Sequence, residues 1–366
     1  MAKKTPFYNI HRDLNARIID FGGFEMPVQY TGIRDEHNAV RENAGIFDVS
    51  HMGEFFVEGE GAEAFLQKMT VNDVSKLVPG RAQYTVMCYD HGGIVDDLII
   101  YMIHEHRYML VVNASNRQKD FDWLQSHNPP GVNLTNKSDD YCLLAVQGPQ
   151  SVELLQTLTP VNLSEIKFYH FAIGDFAGYH DIILSATGYT GENGFEIYFD
   201  KNKVDPTTVW KKITDAGKAY NLKPAGLGAR DTLRLEMGYA LYGNDISKDT
   251  NPLEAGLGWL TKLDKDDFIG KDRLLKVKEN GPDRKLVGLI TNDERAIPRS
   301  HYDITDEGGA TIGEVTSGGL SITTGKGIAM GYVVIDFSKP DSQVFITIRG
   351  KSHSATVVKP PFIHKK

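Results

Sequence analysis

Two places in the sequence set carboxylates where they could do chemistry. In His91-Gly92-Gly93-Ile94-Val95-Asp96-Asp97-Leu98, paired acids follow a glycine turn and enter the apolar run Leu98-Ile99-Ile100-Tyr101. Strand side chains alternate between faces, so one of Asp96 and Asp97 points inward. A buried carboxylate costs several kcal/mol unless it is paired or hydrogen-bonded, so it is more often functional than accidental. The plain alternative is a hairpin with solvated acids. The second place is Thr187-Gly188-Tyr189-Thr190-Gly191-Glu192-Asn193-Gly194-Phe195-Glu196, a Gly/Asn turn between two strands. Glu196 sits there between Phe195 and Ile197, again a carboxylate in an apolar strand.

Other candidates carry less. Ala229-Arg230-Asp231 and Leu233-Arg234-Leu235-Glu236 supply cations on an expected helix, which could equally be a surface laced with weak ion pairs. Asp48-Val49-Ser50-His51-Met52-Gly53-Glu54 sets a His beside a Ser, but the chain contains no G-x-S-x-G elbow for a hydrolase. Gly226-Leu227-Gly228 lacks the third glycine and the lysine of a nucleotide loop and reads as a helix-entry turn.

The elements that position these residues follow from periodicity and turn chemistry. Strands are expected at Glu54–Gly59, Gln83–Tyr89, Ile94–Ile103, Arg107–Asn113, Val132–Asn136 and Tyr141–Gln147, with helices at Gly61–Thr70 and Ser115–His127. Ser115 is the expected N-cap of the second helix, and Phe121 and Leu124 its core contacts. This order suggests a ferredoxin-like α+β unit rather than a doubly wound sheet. Strands near Asp181–Thr187 and Gly194–Phe199 follow, then helices at Thr207–Tyr220 and Leu227–Met237. Asp264–Pro282 is a charged stretch. The Gly-rich Lys285–Pro361, with β segments at Leu286–Thr291, Val344–Arg349 and Ser354–Val358, reads as a separate small all-β domain.

Composition bounds the function class. The 366 residues are 41% hydrophobic and 24% charged, enough apolar material for two or three globular domains. A net charge of −8 with no long Lys/Arg run argues against non-specific nucleic-acid or anionic-membrane binding. Cys88 and Cys142 form no C-x-x-C and no zinc-type cluster, so they read as reduced packing residues and no metal is expected. No secretory leader and no membrane-length apolar run is read, and the expected location is the cytoplasm.

Taken together, seven segments in collinear order resemble the T protein family of the glycine cleavage system, the aminomethyltransferases. They are Phe21–Tyr30, Phe47–Gly53, Gly92–Leu98, Val112–Ser115, Gly188–Glu192, Pro224–Asp231 and Ala329–Val333. The resemblance implies an α+β fold of three domains around a central folate hole. These are a discontinuous folate-binding α+β domain (1–52 with 141–263), a ferredoxin-like α+β domain (53–140) and a C-terminal small β-barrel-like domain (283–366). It implies transfer of the one-carbon unit from the aminomethyl-lipoyl arm of the H protein to tetrahydrofolate, the acceptor substrate. The products are 5,10-methylenetetrahydrofolate, ammonia and dihydrolipoyl H protein. The implied partners are that lipoylated H protein and the other glycine cleavage components, with neither nucleic acid nor membrane.

In the family the second Asp of G-G-I-x-D-D is the catalytic acid, here Asp97, and folate contacts fall on Met52, Tyr84, Tyr101, Asn113, Tyr189, Glu196 and Arg230. Chemistry agrees. A pterin edge presents an amino group and a ring N–H that one carboxylate such as Glu196 can accept together, Tyr and Met offer a flat polarizable wall, and a preorganised anion such as Asp97 stabilises positive charge on carbon and nitrogen. His301 and Ile322 depart from the family, which often has Gly and Pro there. The dinucleotide fingerprint of flavin-linked demethylases is absent, so no flavin is expected. The K-G-C-Y-x-G-Q-E motif of folate-binding iron–sulfur assembly proteins is also missing, the comparable region reading Trp259-Leu260-Thr261-Lys262-Leu263.

Overall fold

The computed structural model describes residues 2–293 and 295–363. The chain divides into two compact units, one formed by 1–66, 74–84 and 98–231, the other by 67–73, 85–97 and 232–366. The division falls inside two strands, Arg81–Cys88 and Ile94–His104.

The first unit is built on a six-stranded sheet in the order Phe171–Phe176, Tyr179–Ser185, Gly194–Asp200, Tyr141–Gln147, Gly45–Asp48, Lys223–Pro224. Its two central strands pair antiparallel from Tyr141 opposite Asp200 to Gln147 opposite Gly194. Their apolar residues Leu144, Val146, Phe195 and Ile197 join Trp210 and Ile213 of the helix Pro206–Gly217 in one buried core. That helix begins where Asp205 accepts the Thr208 N–H at 3.0 Å and Pro206 occupies the first turn, where a missing N–H costs nothing. A three-stranded sheet orders Lys3–Lys4, Phe24–Gln29 and Arg17–Phe21.

A five-stranded sheet runs Arg81–Cys88, Ile94–His104, Arg107–Val112, Gly53–Glu58, Asn133–Asn136. Its strands lie within one or two residues of where alternation and the His91-Gly92-Gly93 turn put them. One expectation fails beside it. Ser115 is exposed within a 3-10 turn, Ala114–Asn116, and the helix Arg117–Ser126 has Asn116 as its N-cap residue. The extra turn uses up the residues that the capping pattern assigned to the helix. Leu124 is fully buried as expected, while Phe121 is half-buried with its ring edge-on to Phe55.

The second unit contains a closed six-stranded barrel, in the order Arg284–Thr291, Gly327–Val334, Thr311–Leu320, Asp303–Thr305, Gln343–Ile348, Lys351–Val358. Leu289, Val315, Val333, Ile346 and Ala355 fill its interior. The long strands Thr311–Leu320 and Gly327–Val334 escape sequence reading because glycine weakens a strand signal. Here glycine serves close approach, since a Cβ on Gly327 would strike the Ala296 carbonyl. The charged stretch 264–282 contains a helix, Lys271–Asn280, of which Leu274 is the buried residue. The α+β class and the C-terminal barrel read from the sequence are both present. Among the described residues no helix is long and apolar enough to cross a membrane.

Candidate functional site

Glu196 lies in the middle of its sheet, opposite Ala145 on one neighbouring strand and Ser185 on the other. Period-two alternation puts Tyr198 on the same face, and both side chains are buried. Glu196 Oε2 accepts from Thr187 Oγ1 at 2.5 Å and from the Tyr198 hydroxyl at 3.1 Å. Tyr101 joins through its hydroxyl, 2.9 Å from that of Tyr198 and 3.2 Å from Thr187 Oγ1, and Ser185 Oγ lies 2.9 Å from Thr187 Oγ1. Burial, reinforced by the negative charge of Glu196, pushes the Tyr101 and Tyr198 hydroxyls up, so they remain protonated donors. Both hydrogen bonds to the carboxylate fall on Oε2. Oε1 accepts none from the described residues, which leaves one oxygen for a ligand's donors.

A second pair stands in the same unit. The Arg230 guanidinium, on the helix Leu227–Glu236, lies 4.6 Å from the centre of the Tyr189 ring. The Tyr189 loop is tied back to the helix Ile33–Glu42 by Arg41, whose Nη1 donates to the Thr190 carbonyl and to Glu192 Oε1, both at 2.7 Å.

His51 and Met52 follow the strand Gly45–Asp48. His51 is fully buried, edge-on to Phe21 at 5.5 Å and Phe24 at 6.4 Å, and its Nδ1 has no hydrogen-bond partner among the described residues. Burial first, then the positive charges of Arg230 and Arg117, lower its pKa to about 3 against the pull of Asp48, so the ring is neutral. It is not part of a hydrolase triad. Met52 is half-buried, its N–H donating to the Val49 carbonyl at 3.0 Å. Tyr84 and Asn113 are half-buried as well, Asn113 immediately after the strand Arg107–Val112.

The structure therefore links Tyr101 to Glu196 and Tyr189 to Arg230. Sequence reading did not single out Tyr198 and Thr187, which hold Glu196, or Ser185, which bonds Thr187. The signal for Tyr198 was present, two residues from Glu196 on the same strand. It also missed Glu54, fully buried with both carboxyl oxygens lacking a hydrogen-bond partner among the described residues.

Asp96 and Asp97 belong to the second unit. Asp96 is fully buried and Asp97 half-buried, so the acid that points inward is Asp96, and the choice of Asp97 rests on the family motif rather than on burial. The turn before them is rigid. Gly92, at φ +85, donates to the Tyr89 carbonyl at 2.8 Å, and a Cβ on Gly93 would collide with the Lys248 carbonyl. Ile94 N–H donates to the Ser247 and Thr250 carbonyls, and its own carbonyl accepts from the Tyr242 hydroxyl at 3.2 Å. The strand bearing the two acids thus enters from a fixed position. Among the described residues no group of three or more His, Cys, Asp or Glu side chains is arranged to hold a metal.

Comparison with known proteins decides the family. Residues 7–265 match the GCVT N-terminal domain and residues 284–364 the glycine cleavage T-protein C-terminal barrel domain. The chain belongs to the glycine cleavage T-protein family of aminomethyltransferases. It is 55% identical over 363 residues to an aminomethyltransferase of Flavobacterium psychrophilum, covering 99% of this chain and 100% of that protein. It is 54% identical over 364 residues to one of Chloroherpeton thalassium, covering 99% of each. The crystal structure of glycine cleavage system aminomethyltransferase T from Bartonella henselae superposes with a TM-score of 0.92 at 34% identity, covering 100% of this chain and 99% of that one. The family read from seven collinear motifs is thus borne out, and with it a transferase of the glycine cleavage system.

Proposed function

We propose that this aminomethyltransferase takes its one-carbon unit from an aminomethyl group on the lipoyl arm of the H protein and delivers it to tetrahydrofolate. The carbon exchanges its bonds to sulfur and to the amino nitrogen for bonds to two folate nitrogens. The two protons displaced from those nitrogens leave with the thiol and the ammonia, and the oxidation level of the carbon is unchanged. Glu196 accepts the pterin's amino and ring N–H donors, with Met52, Tyr84, Tyr101, Asn113, Tyr189 and Arg230 as further folate contacts. Asp97 is the catalytic acid, its charge stabilising the cationic carbon–nitrogen centre that develops during transfer. The enzyme works in the cytoplasm with the H protein and the other glycine cleavage components, which fits two buried, unbridged thiols.

The observation that carries this reading is the orientation of Glu196. Its carboxylate is buried in an apolar strand, fixed through Oε2, and has Oε1 left over. That leaves Oε1 open to the paired donors of a pterin edge, which one carboxylate can accept together. The test is ammonia release on mixing the enzyme with aminomethyl-lipoyl H protein, with and without tetrahydrofolate. Release that depends on tetrahydrofolate is expected, and free aminomethyl-lipoate should be a poor donor. Turnover with free aminomethyl-lipoate at the rate seen with the H protein defeats the partner assignment.

A further inference from the structure

A single buried side chain sits inside the loop that carries Tyr189. Gln147 ends the strand Tyr141–Gln147 and is 1% exposed. Its Nε2 donates to the Thr187 carbonyl at 3.1 Å and to the Val146 carbonyl at 3.4 Å, while Oε1 accepts from Thr190 Oγ1 at 2.9 Å. The carbonyls only accept, so the carboxamide has one workable orientation. Glycines flank it on both sides. A Cβ on Gly188 would collide with Oε1, and one on Gly194 would come within 2.5 Å of Nε2. The two glycines therefore make room for Gln147, beyond any role in turning the chain.

What Gln147 holds is specific. Thr187, gripped by its carbonyl, is the residue whose hydroxyl fixes Glu196 Oε2. Thr190, gripped by its hydroxyl, follows Tyr189, whose ring lies under Arg230. One carboxamide thus supports the carboxylate and the aromatic face together. We infer that Gln147 is a positioning residue for the reduced pteridine, setting Glu196 through Thr187 and Tyr189 through Thr190 without touching the ligand. This rests on the folate reading above.

The test compares Gln147→Met and Thr190→Val with the wild-type chain, using tetrahydrofolate as the probe. Thr190→Val keeps the shape, removes the bond to Oε1 together with the one that Thr190 Oγ1 accepts from the Glu192 N–H at 3.1 Å, and stands in if Gln147→Met does not fold. Affinity by calorimetry is expected to fall roughly tenfold or more for Gln147→Met, the scale of one buried hydrogen-bonding group left unpaired, and somewhat less for Thr190→Val. The KM for tetrahydrofolate should rise in parallel, while kcat at saturation stays within a few fold. A merely structural Gln147 would lower the melting temperature and leave affinity and KM unchanged, and that result overturns the inference. Glu196→Gln and Tyr189→Ala keep the two ideas apart. If neither weakens tetrahydrofolate binding, the folate reading has failed. If both weaken it and the Gln147 and Thr190 variants do not, only the positioning role has failed.

Discussion

Thr187 Oγ1 lies 2.5 Å from Glu196 Oε2, and the Tyr198 hydroxyl reaches the same oxygen at 3.1 Å. Two donors on one oxygen fix the carboxylate while leaving the other oxygen unbonded. Glu196→Gln keeps the shape but replaces one acceptor with a donor facing the donors of the pterin. Hydrogen bonds to charged groups contribute about 1.5–3 kcal/mol, so tetrahydrofolate affinity should fall roughly ten- to a hundredfold. Calorimetry on the folded variant decides it, and unchanged affinity makes Glu196 a structural residue.

Two buried groups give stability opposite dependences on pH. His51 has a pKa lowered to about 3, so below its ordinary range the unfolded chain takes a proton the native state refuses, and stability is lost as pH falls from about 6.5 toward 3. Glu54 is raised well above the carboxylate range by burial, against the pull of Arg117. Its native state keeps a proton that the unfolded chain has released, so its contribution is present at low pH and lost as pH rises above about 4.3. Each slope is limited to about 1.4 kcal/mol per pH unit for one group. Denaturant melts of wild type and Glu54→Gln between pH 5 and 8 check this. The variant should gain stability relative to wild type as pH rises, and a pH-independent difference contradicts the neutral carboxyl.

Much of the fold was legible because alternation and turn residues agreed with the final structure. The strand Tyr141–Gln147 has the expected bounds, and Glu196 was picked out by its apolar neighbours. The barrel strands Thr311–Leu320 and Gly327–Val334 were not, since their glycines answer to backbone atoms distant in sequence. Gly313 faces the Tyr332 carbonyl, a contact that only tertiary structure reveals. The helix Lys271–Asn280 was hidden by its charge. In the candidate site the acids and Tyr189 stood out, whereas Thr187, Ser185 and Gln147 looked like ordinary strand and turn residues. Their importance lies in partners far along the chain.

Cys88 and Cys142 are fully buried, and burial pushes both thiols up, which suits packing rather than reaction. Replacing both by Ala should lower the melting temperature and leave turnover near normal, with no metal released or bound. Stoichiometric metal, or loss of activity in a folded double variant, contradicts this.

Arg234 and Asp245 form a fully buried ion pair at 2.8 Å in the second unit, completed by Ser317 Oγ, which bonds both. Removing one partner strands the other's charge, so Asp245→Ala should cost about 3–5 kcal/mol by chemical denaturation. A loss below about 1 kcal/mol, the level of an exposed pair, contradicts that account.

The most direct test of the central claim is the single-turnover rate of tetrahydrofolate-dependent transfer in Asp97→Asn. The substitution keeps size and hydrogen-bonding capacity and removes the charge. A group acting mainly in the transition state lowers kcat with little change in KM. The account predicts a loss on the order of 10²–10⁴ with tetrahydrofolate affinity within a few fold of wild type. Asp96→Asn, at the fully buried neighbour, should lose much less chemistry once a thermal melt shows it folded. A near-normal rate for Asp97→Asn, or a slower rate for Asp96→Asn than for Asp97→Asn, contradicts the assignment.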